Sequence, residues 1–310
     1  FHGRDGPLNV TYPRHISPIN QMFVDAAALH QLRLNPDYNG AEQEGAFLYQ
    51  VTQKNGERCS AAKAYLTPNL SRTNLKVMTR AVSSRIVIED RRATGVTYTQ
   101  GGETYTVRAR REIIVSSGAF GSPHLLLLSG IGPAEQLQEL GVPVTQHLPG
   151  VGKNLQDHID YVQTWRTRSD TQTFGLSLRG MAKMAGAISE WRKKRSGMIT
   201  SPFAEAGAFL RSRPDLDAPD LQLIFVIGIV DDHARKQHLG HGISCHVDVL
   251  RPYSRGEVRL ASREARDPPL IDPRFLDDER DLDLLVWGAQ KMQRIIESPP
   301  MDGVRGKMLY

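Results

Sequence analysis

The chain has 310 residues, 40% hydrophobic and 24% charged, with a formal net charge of +5. That length allows about two domains and an ample core. The modest charge is scattered rather than striped, which argues against nucleic acid as a partner. No window nears the roughly 18 apolar residues of a membrane span; the best, Leu221 to Val230, is too short and carries Gln222.

Residues 1–20 are rich in turn formers: Gly3, Gly6, Pro7, Pro13 and Pro18. The opening FHGRDGPLNV has no initiator Met and no signal-peptide apolar stretch, and implies a chain that begins inside a larger protein. SPINQMFVDAAALHQL then predicts a helix, with Ser17 as its cap and Ile19, Phe23, Ala26, Ala27 and Leu29 as its apolar face. NPDYNG breaks it, residues 44–54 alternate weakly as an edge strand does, and RCSAAKAYLTP predicts a short helix. From Asn74 the period changes to two, with β-rich runs at 75–79, 84–88, 93–99 and 104–109. Gly101-Gly102 marks a hairpin. Ile113 to Val115 predict a buried strand over 112–116, and a helix follows from about 122. PAEQLQELGVPV is a helix between Pro133 and Gly141, and LPGVGKNLQDH is a glycine-rich loop. Residues 176–195 form an amphipathic helix ending in Arg192, Lys193, Lys194 and Arg195. DLQLIFVIGIV, GISCHVDVLRP and GEVRLAS are strands, and DERDLDLLVWGAQKMQRIIES is a helix with acids early and bases late, matching its dipole.

Cys59 and Cys245 lie far apart and outside any Cys-x-x-Cys pattern. Neither a disulfide framework nor a thiolate metal site is expected, a reducing compartment fits, and the expected location is cytoplasmic.

One stretch, SSGAFGSPHLLLLSGIG at 116–132, reads as strand, small-residue turn and helix N-terminus, which is how a backbone approaches a phosphate. No Gly-x-Gly-x-x-Gly occurs in the chain; GIGPAE and GVGKNL each lack the third glycine. The same turn also serves plain helix–strand packing. The longer segment IIVSSGAFGSPHLLLLSGIGPAEQLQELGVPVTQHLPGVGKNLQDH, with GRDGPL, NPDYNG, NLKVMTRAVSSRI, AEAGAFLRS and RPYSRGEVRLAS, resembles the glucose–methanol–choline (GMC) oxidoreductases. These are flavoenzymes that oxidise alcohols with FAD, and the likeness spans almost the whole chain.

That resemblance implies an α+β fold: part of an FAD-binding domain, with a β-meander and strand–turn–helix, joined to a substrate domain with an antiparallel sheet and flanking helices. It assigns 1–43 to a segment associated with the substrate domain, 44–158 to the FAD-binding part and 159–310 to the substrate domain. Ser117, Gly118 and Ala119 match positions that pass close to FAD, and Val82 and Ser83 match the adenine contact. The family's pyrophosphate-binding glycine motif is expected before Phe1 and its catalytic histidine after Tyr310, so no catalytic residue is assigned here. The implied reaction is oxidation of a primary alcohol, aliphatic or aromatic, with choline oxidation as the alternative and a non-catalytic module as the rival. The electron acceptor, oxygen or a quinone-type carrier, is not set by the segment.

The remaining candidates stand beside that reading. His233, His238, His241 and His246, with Asp231 and Asp232, do not follow a metal-ligand rhythm, and no metal is expected. The resemblance suggests instead that this loop and strand, with His246, lie over the substrate pocket. Glu205, among Phe203, Ala204, Ala206 and Phe209, is either paired or functional, because an unpaired buried carboxylate is costly; it is a candidate pocket-lining charge, with an exposed strand-edge side chain as the alternative. EWRKKR raises a membrane surface as a partner. A helix ending in cations is explained by its dipole, however, and a polybasic anchor needs a second signal.

Overall fold

The computed structural model describes residues 1–168, 172–231, 235–236 and 238–309. Its principal elements begin with helix α1 (Ile19–Leu29), strand β1 (Gly45–Leu48) and strands β2 (Val82–Glu89), β3 (Arg92–Gln100) and β4 (Glu103–Arg108). Helices α2 (Gly118–Leu128) and α3 (Ala134–Glu139) follow, then β5 (Lys153–Leu155), β6 (Ile159–Thr167) and helix α4 (Leu178–Lys194). Next come β7 (Ala204–Leu210), β8 (Leu221–Val226), β9 (Gly240–Val249), β10 (Gly256–Arg259) and β11 (Leu270–Asp272). Helix α5 (Glu279–Ile296) and β12 (Arg305–Met308) complete the set. Two compact units result: Phe1–Leu75 with His158–Arg251 and Asp281–Tyr310, and Lys76–Asp157 with Pro252–Arg280.

The first unit is built on an antiparallel sheet of order β1-β7-β8-β9-β6-β12, with a short strand, Gly175–Leu176, paired to β9 off that path. Alternation decides its faces. Ala206, Ala208, Leu223, Phe225, Ile243, Cys245, Val247 and Trp165 pack into the core with α1 and α5. In α1 the core positions are Ile19, Phe23, Ala26 and Ala27, a helical spacing, and Phe23 stacks on Phe225 with ring centroids 4.8 Å apart. Burial of Ile19 and of Phe23 contributes about 1.5–3 kcal/mol each, and of the alanine methyls about 1 kcal/mol or less.

In the second unit β2, β3 and β4 form the meander in hairpin register, and β5, β10 and β11 form a separate three-stranded sheet. Leu127, Leu137, Val142 and Leu260 make its core. Ser129 joins helix to meander: its Oγ donates to the Leu125 carbonyl at 2.6 Å and accepts from the Ile86 N–H at 2.8 Å. Lys153, in the second glycine loop, pairs with Glu257.

Several expectations are corrected. No strand forms over 112–116, and Ile114 is 79% exposed. A strand needs a partner for its backbone ladder, and no described residue pairs with this run. The run at 75–79 is likewise not a strand, with Val77 exposed. Helix α2 begins at Gly118 rather than near 122. Ser17 does not cap α1 through its side chain; its Oγ donates to the Gln172 carbonyl. Residues 44–75 fall in the first unit, where β1 adds to β7 at the edge of the large sheet. Strand β6 has no counterpart in the sequence reading.

Candidate functional site

In the second unit Val82 and Ser83 open β2, paired with Thr99 and Tyr98, and both are exposed. Ser117, Gly118 and Ala119 make the exposed turn into α2. Gly118 sits at φ +77°, where L side chains are strained, and a Cβ there would meet nothing within 4 Å. The helix starts with no side-chain cap and no acid in its first turn. The Ser117 N–H is taken by Ser122 Oγ at 3.0 Å. The helix N–H groups that follow, at the positive end of the dipole, lie in an exposed turn beside an open glycine, which suits an anionic or strongly polar ligand group.

The first unit offers a second surface. Helices α1 and α5 contribute to the core on one face of the large sheet, and the other face carries the side chains that alternation turns away from it. Gln222 Nε2 donates to Tyr49 Oη at 2.7 Å. Tyr49 lies over Gly207, where a Cβ would come 2.7 Å from that oxygen, and burial pushes its phenol well above the ordinary value. His246 Nδ1 and Asp160 Oδ2 are 2.8 Å apart. A proton on Nδ1 directed at that carboxylate would leave Nε2 as an acceptor. Thr164 Oγ1 and Ser244 Oγ are 3.0 Å apart one row further along.

At that end lies an apolar cavity of about 460 Å³, lined by Phe174, Met181, Met184, Met198, Phe203 and Val226 among others. Val226 follows Ile224 on β8, and Ile224 is in register with His246, so the cavity continues the open face. Phe203 takes a left-handed φ of 65° and meets Phe174 edge-on with centroids 3.8 Å apart. Strain of that kind in a bulky residue persists only where its surroundings hold it. Unbranched methionines let such a wall adapt to irregular shapes.

The candidates read from the sequence thus separate. Phe203 lines the cavity, and His246 sits beside Asp160 on the open face. Glu205 does neither: it is fully buried at the N-terminus of α1, accepting from Ser17 N–H at 2.7 Å and from Asn20 Nδ2. It is therefore neither an exposed strand-edge carboxylate nor part of the cavity wall; Oε2 is held by these two donors, and Oε1 is buried without one among the described residues. His238 pairs with Asp231, His241 with Ser177 and Thr173, and Asp232 and His233 lie outside the described residues. Among the described residues no three His, Cys, Asp or Glu side chains gather as for a metal. Tyr49, Gln222 and Asp160 were not legible as site residues; the period-two pattern of IDYVQTWRT was the available signal for the last.

Comparison with known proteins decides the family. A GMC oxidoreductase family model matches residues 3–160, and a second of the same description matches 252–309. The chain belongs to the GMC oxidoreductases. It is 39% identical over 306 residues to an alcohol dehydrogenase [acceptor] of Pseudomonas putida, covering 97% of this chain and 55% of that protein. It is 38% identical over 310 residues to a mitochondrial choline dehydrogenase of Homo sapiens, covering 100% of this chain and 52% of that protein. The chain spans about half the length of these curated relatives. Among solved structures, a formate oxidase shares the fold at TM-score 0.89 and 24% identity, over 99% of this chain and 58% of its own. Pyridoxine 4-oxidase from Mesorbium loti matches at TM-score 0.83 and 25% identity, over 99% and 57%. The mixed helix-and-sheet fold is that of the family's FAD-binding and substrate domains, and FAD is the cofactor that goes with it. The open turn at Gly118 and the uncapped start of α2 fit such a group.

Proposed function

We propose that this chain supplies FAD contacts and the substrate-binding sheet of an enzyme that oxidises a primary alcohol, aliphatic or aromatic, to the aldehyde. FAD, when bound, supplies the acceptor for the hydride leaving the carbinol carbon. Ser117, Gly118 and Ala119 would hold the cofactor through backbone at the open turn, with Val82 and Ser83 at its adenine. The family's proton-abstracting histidine matches no residue here, and that role is assigned to the rest of the protein.

The observation that carries this reading is the apolar cavity continuing the open sheet face. Phe203 and the methionines would take the hydrocarbon part of the substrate and exclude water from it. His246, aligned by Asp160, would accept a hydrogen bond from a polar group at the cavity's end. Choline fits this wall less well. Its quaternary ammonium needs an aromatic cage with a carboxylate, but Glu205 is engaged by Ser17 and Asn20, and Lys183 and Lys236 line the cavity. The test is steady-state turnover by the full-length enzyme of 1-octanol, benzyl alcohol and choline with an artificial dye acceptor. Higher kcat/KM for the two uncharged alcohols is expected; a preference for choline overturns the substrate assignment.

A further inference from the structure

Helix α4 presents an outward stripe of Leu178, Met181, Ala182, Ala185, Ser189, Arg192 and Lys193, spaced three and four apart and all exposed. A surface helix ordinarily turns charge to water along such a stripe. Here the first three turns are apolar or small, the last is cationic, and there is no acid. The helix's one carboxylate, Glu190, lies off the stripe and accepts from Ser196 at 3.2 Å. Next to the helix start, Leu239 and Leu176 are bridged to each other. Leu178, Leu239, Met181 and Leu176 are 82%, 78%, 62% and 46% exposed. Four large apolar side chains gathered at one end of a basic helix exceed the scattered single exposures normal for a surface.

The cations at 192–195 alone are accounted for by the helix dipole and by Arg195 stacking over Trp191 at 4.2 Å. The exposed leucines are the second signal that an interfacial anchor requires. We propose that this end of the substrate-binding unit docks on an anionic phospholipid surface. Leu176, Leu178, Met181 and Leu239 enter the headgroup–acyl boundary, and Arg192 and Lys193, on the same stripe, meet the lipid phosphates. At 1.5 Å per residue the helix is about 25 Å long, so it can lie in the membrane plane with both ends engaged. Among the described residues no helix is long and apolar enough to cross a membrane, and the contact is peripheral. Leu176 and Met181 also line the cavity, so an alcohol dissolved in the bilayer would meet its wall there. The docking itself does not depend on what the cavity takes.

The experiment is co-sedimentation of the full-length enzyme with phosphatidylcholine vesicles with or without phosphatidylglycerol. Binding to the anionic vesicles that weakens with added salt is expected. Arg192→Glu with Lys193→Glu should lose about fivefold or more per cation replaced. Leu178→Ser with Leu239→Ser should lose at least about tenfold, with dye-coupled turnover of a soluble alcohol and the melting temperature unchanged in both double variants. Equal binding of all variants overturns the proposal. So does a dimer-to-monomer change by light scattering in the serine variant with vesicle binding unaltered, because a second copy would then cover the patch. A Leu178→Cys variant of the folded full-length enzyme that resists maleimide also overturns it, because the rest of the protein would then occupy this face.

Discussion

Replacing Glu205 distinguishes a structural carboxylate from a substrate-binding one. Its Oε2 takes the Ser17 N–H at 2.7 Å and an Asn20 amide hydrogen, and both residues are buried with it. Ser17 and Asn20 stand at the entry to α1, whose Phe23 stacks on Phe225 in the core. A hydrogen bond to a charged group is worth about 1.5–3 kcal/mol, and a donor stranded away from water costs about 1–3. Asn20 keeps its bond to the Ser17 carbonyl at 2.9 Å, so the full double loss does not apply. Glu205→Ala should therefore cost about 3–5 kcal/mol. Glu205→Gln keeps the shape and one acceptor, and should cost about 1–2 kcal/mol.

All three tryptophans, Trp165, Trp191 and Trp287, lie in the same unit as Glu205. A urea titration of the chain followed by tryptophan fluorescence therefore reads that unit even if the other unfolds separately. The expected order of stability is wild type, Gln, Ala, with KM for the alcohol in the full-length enzyme little changed by Gln. An Ala variant as stable as wild type, together with a tenfold or larger rise in KM for Gln, would refute the structural role and return Glu205 to the pocket.

Gly118→Val in the full-length enzyme should lower the flavin-to-protein absorbance ratio while costing about 1–2 kcal/mol from the positive φ alone, since beyond its chain neighbours and its own helix nothing lies within 4 Å of the added Cβ. A collapsed thermal melt at unchanged flavin content would make the glycine a packing residue instead. Gly207→Ala puts a Cβ 2.6 Å from the Leu223 carbonyl and 2.7 Å from Tyr49 Oη; the overpacking should cost about 1–3 kcal/mol, and a urea midpoint equal to wild type would refute that contact. Because burial raises the Tyr49 phenol above its ordinary 10.0, the unfolded chain loses this proton first and stability should fall as pH rises past that value. Melting curves through that range should decline less steeply for Tyr49→Phe. Glu257 is held below the usual carboxylate range, chiefly by its hydrogen bond to Lys153. Its contribution is fully present above about pH 4.5 and should be lost as the pH falls through the lowered value, a loss that Lys153→Met removes from the acid titration.

What the sequence made legible follows from which physics acts locally. Phe23, Ala26 and Ala27 announce α1 because a helix satisfies its own backbone, and the spacing of its apolar face needs no distant partner. The hairpins of the meander are nearly as local: Gly101-Gly102 turns β3 into β4, and Asp90-Arg91, both at positive φ, turns β2 into β3. Ile113–Val115 has a strand's composition but lacks the other half of its hydrogen bonds among the described residues, and composition cannot report that. The reverse error is β7, AEAGAFL, whose small residues carry little strand propensity. Its conformation is imposed by β1 on one side and β8 on the other. That strand also explains why Glu205 is hard to assign from its neighbours. Between Ala204 and Ala206 the register shifts, leaving Glu205 as the extra residue of a bulge, and bulges re-aim side chains. Alternation along the chain then no longer says which face it joins. His246 and Asp160 pose the same difficulty in another form, being 86 residues apart in sequence and paired only because β6 and β9 are neighbours in the sheet. The chemistry of the open face is thus a property of strand order, and strand order is set by long-range pairing that no short motif records.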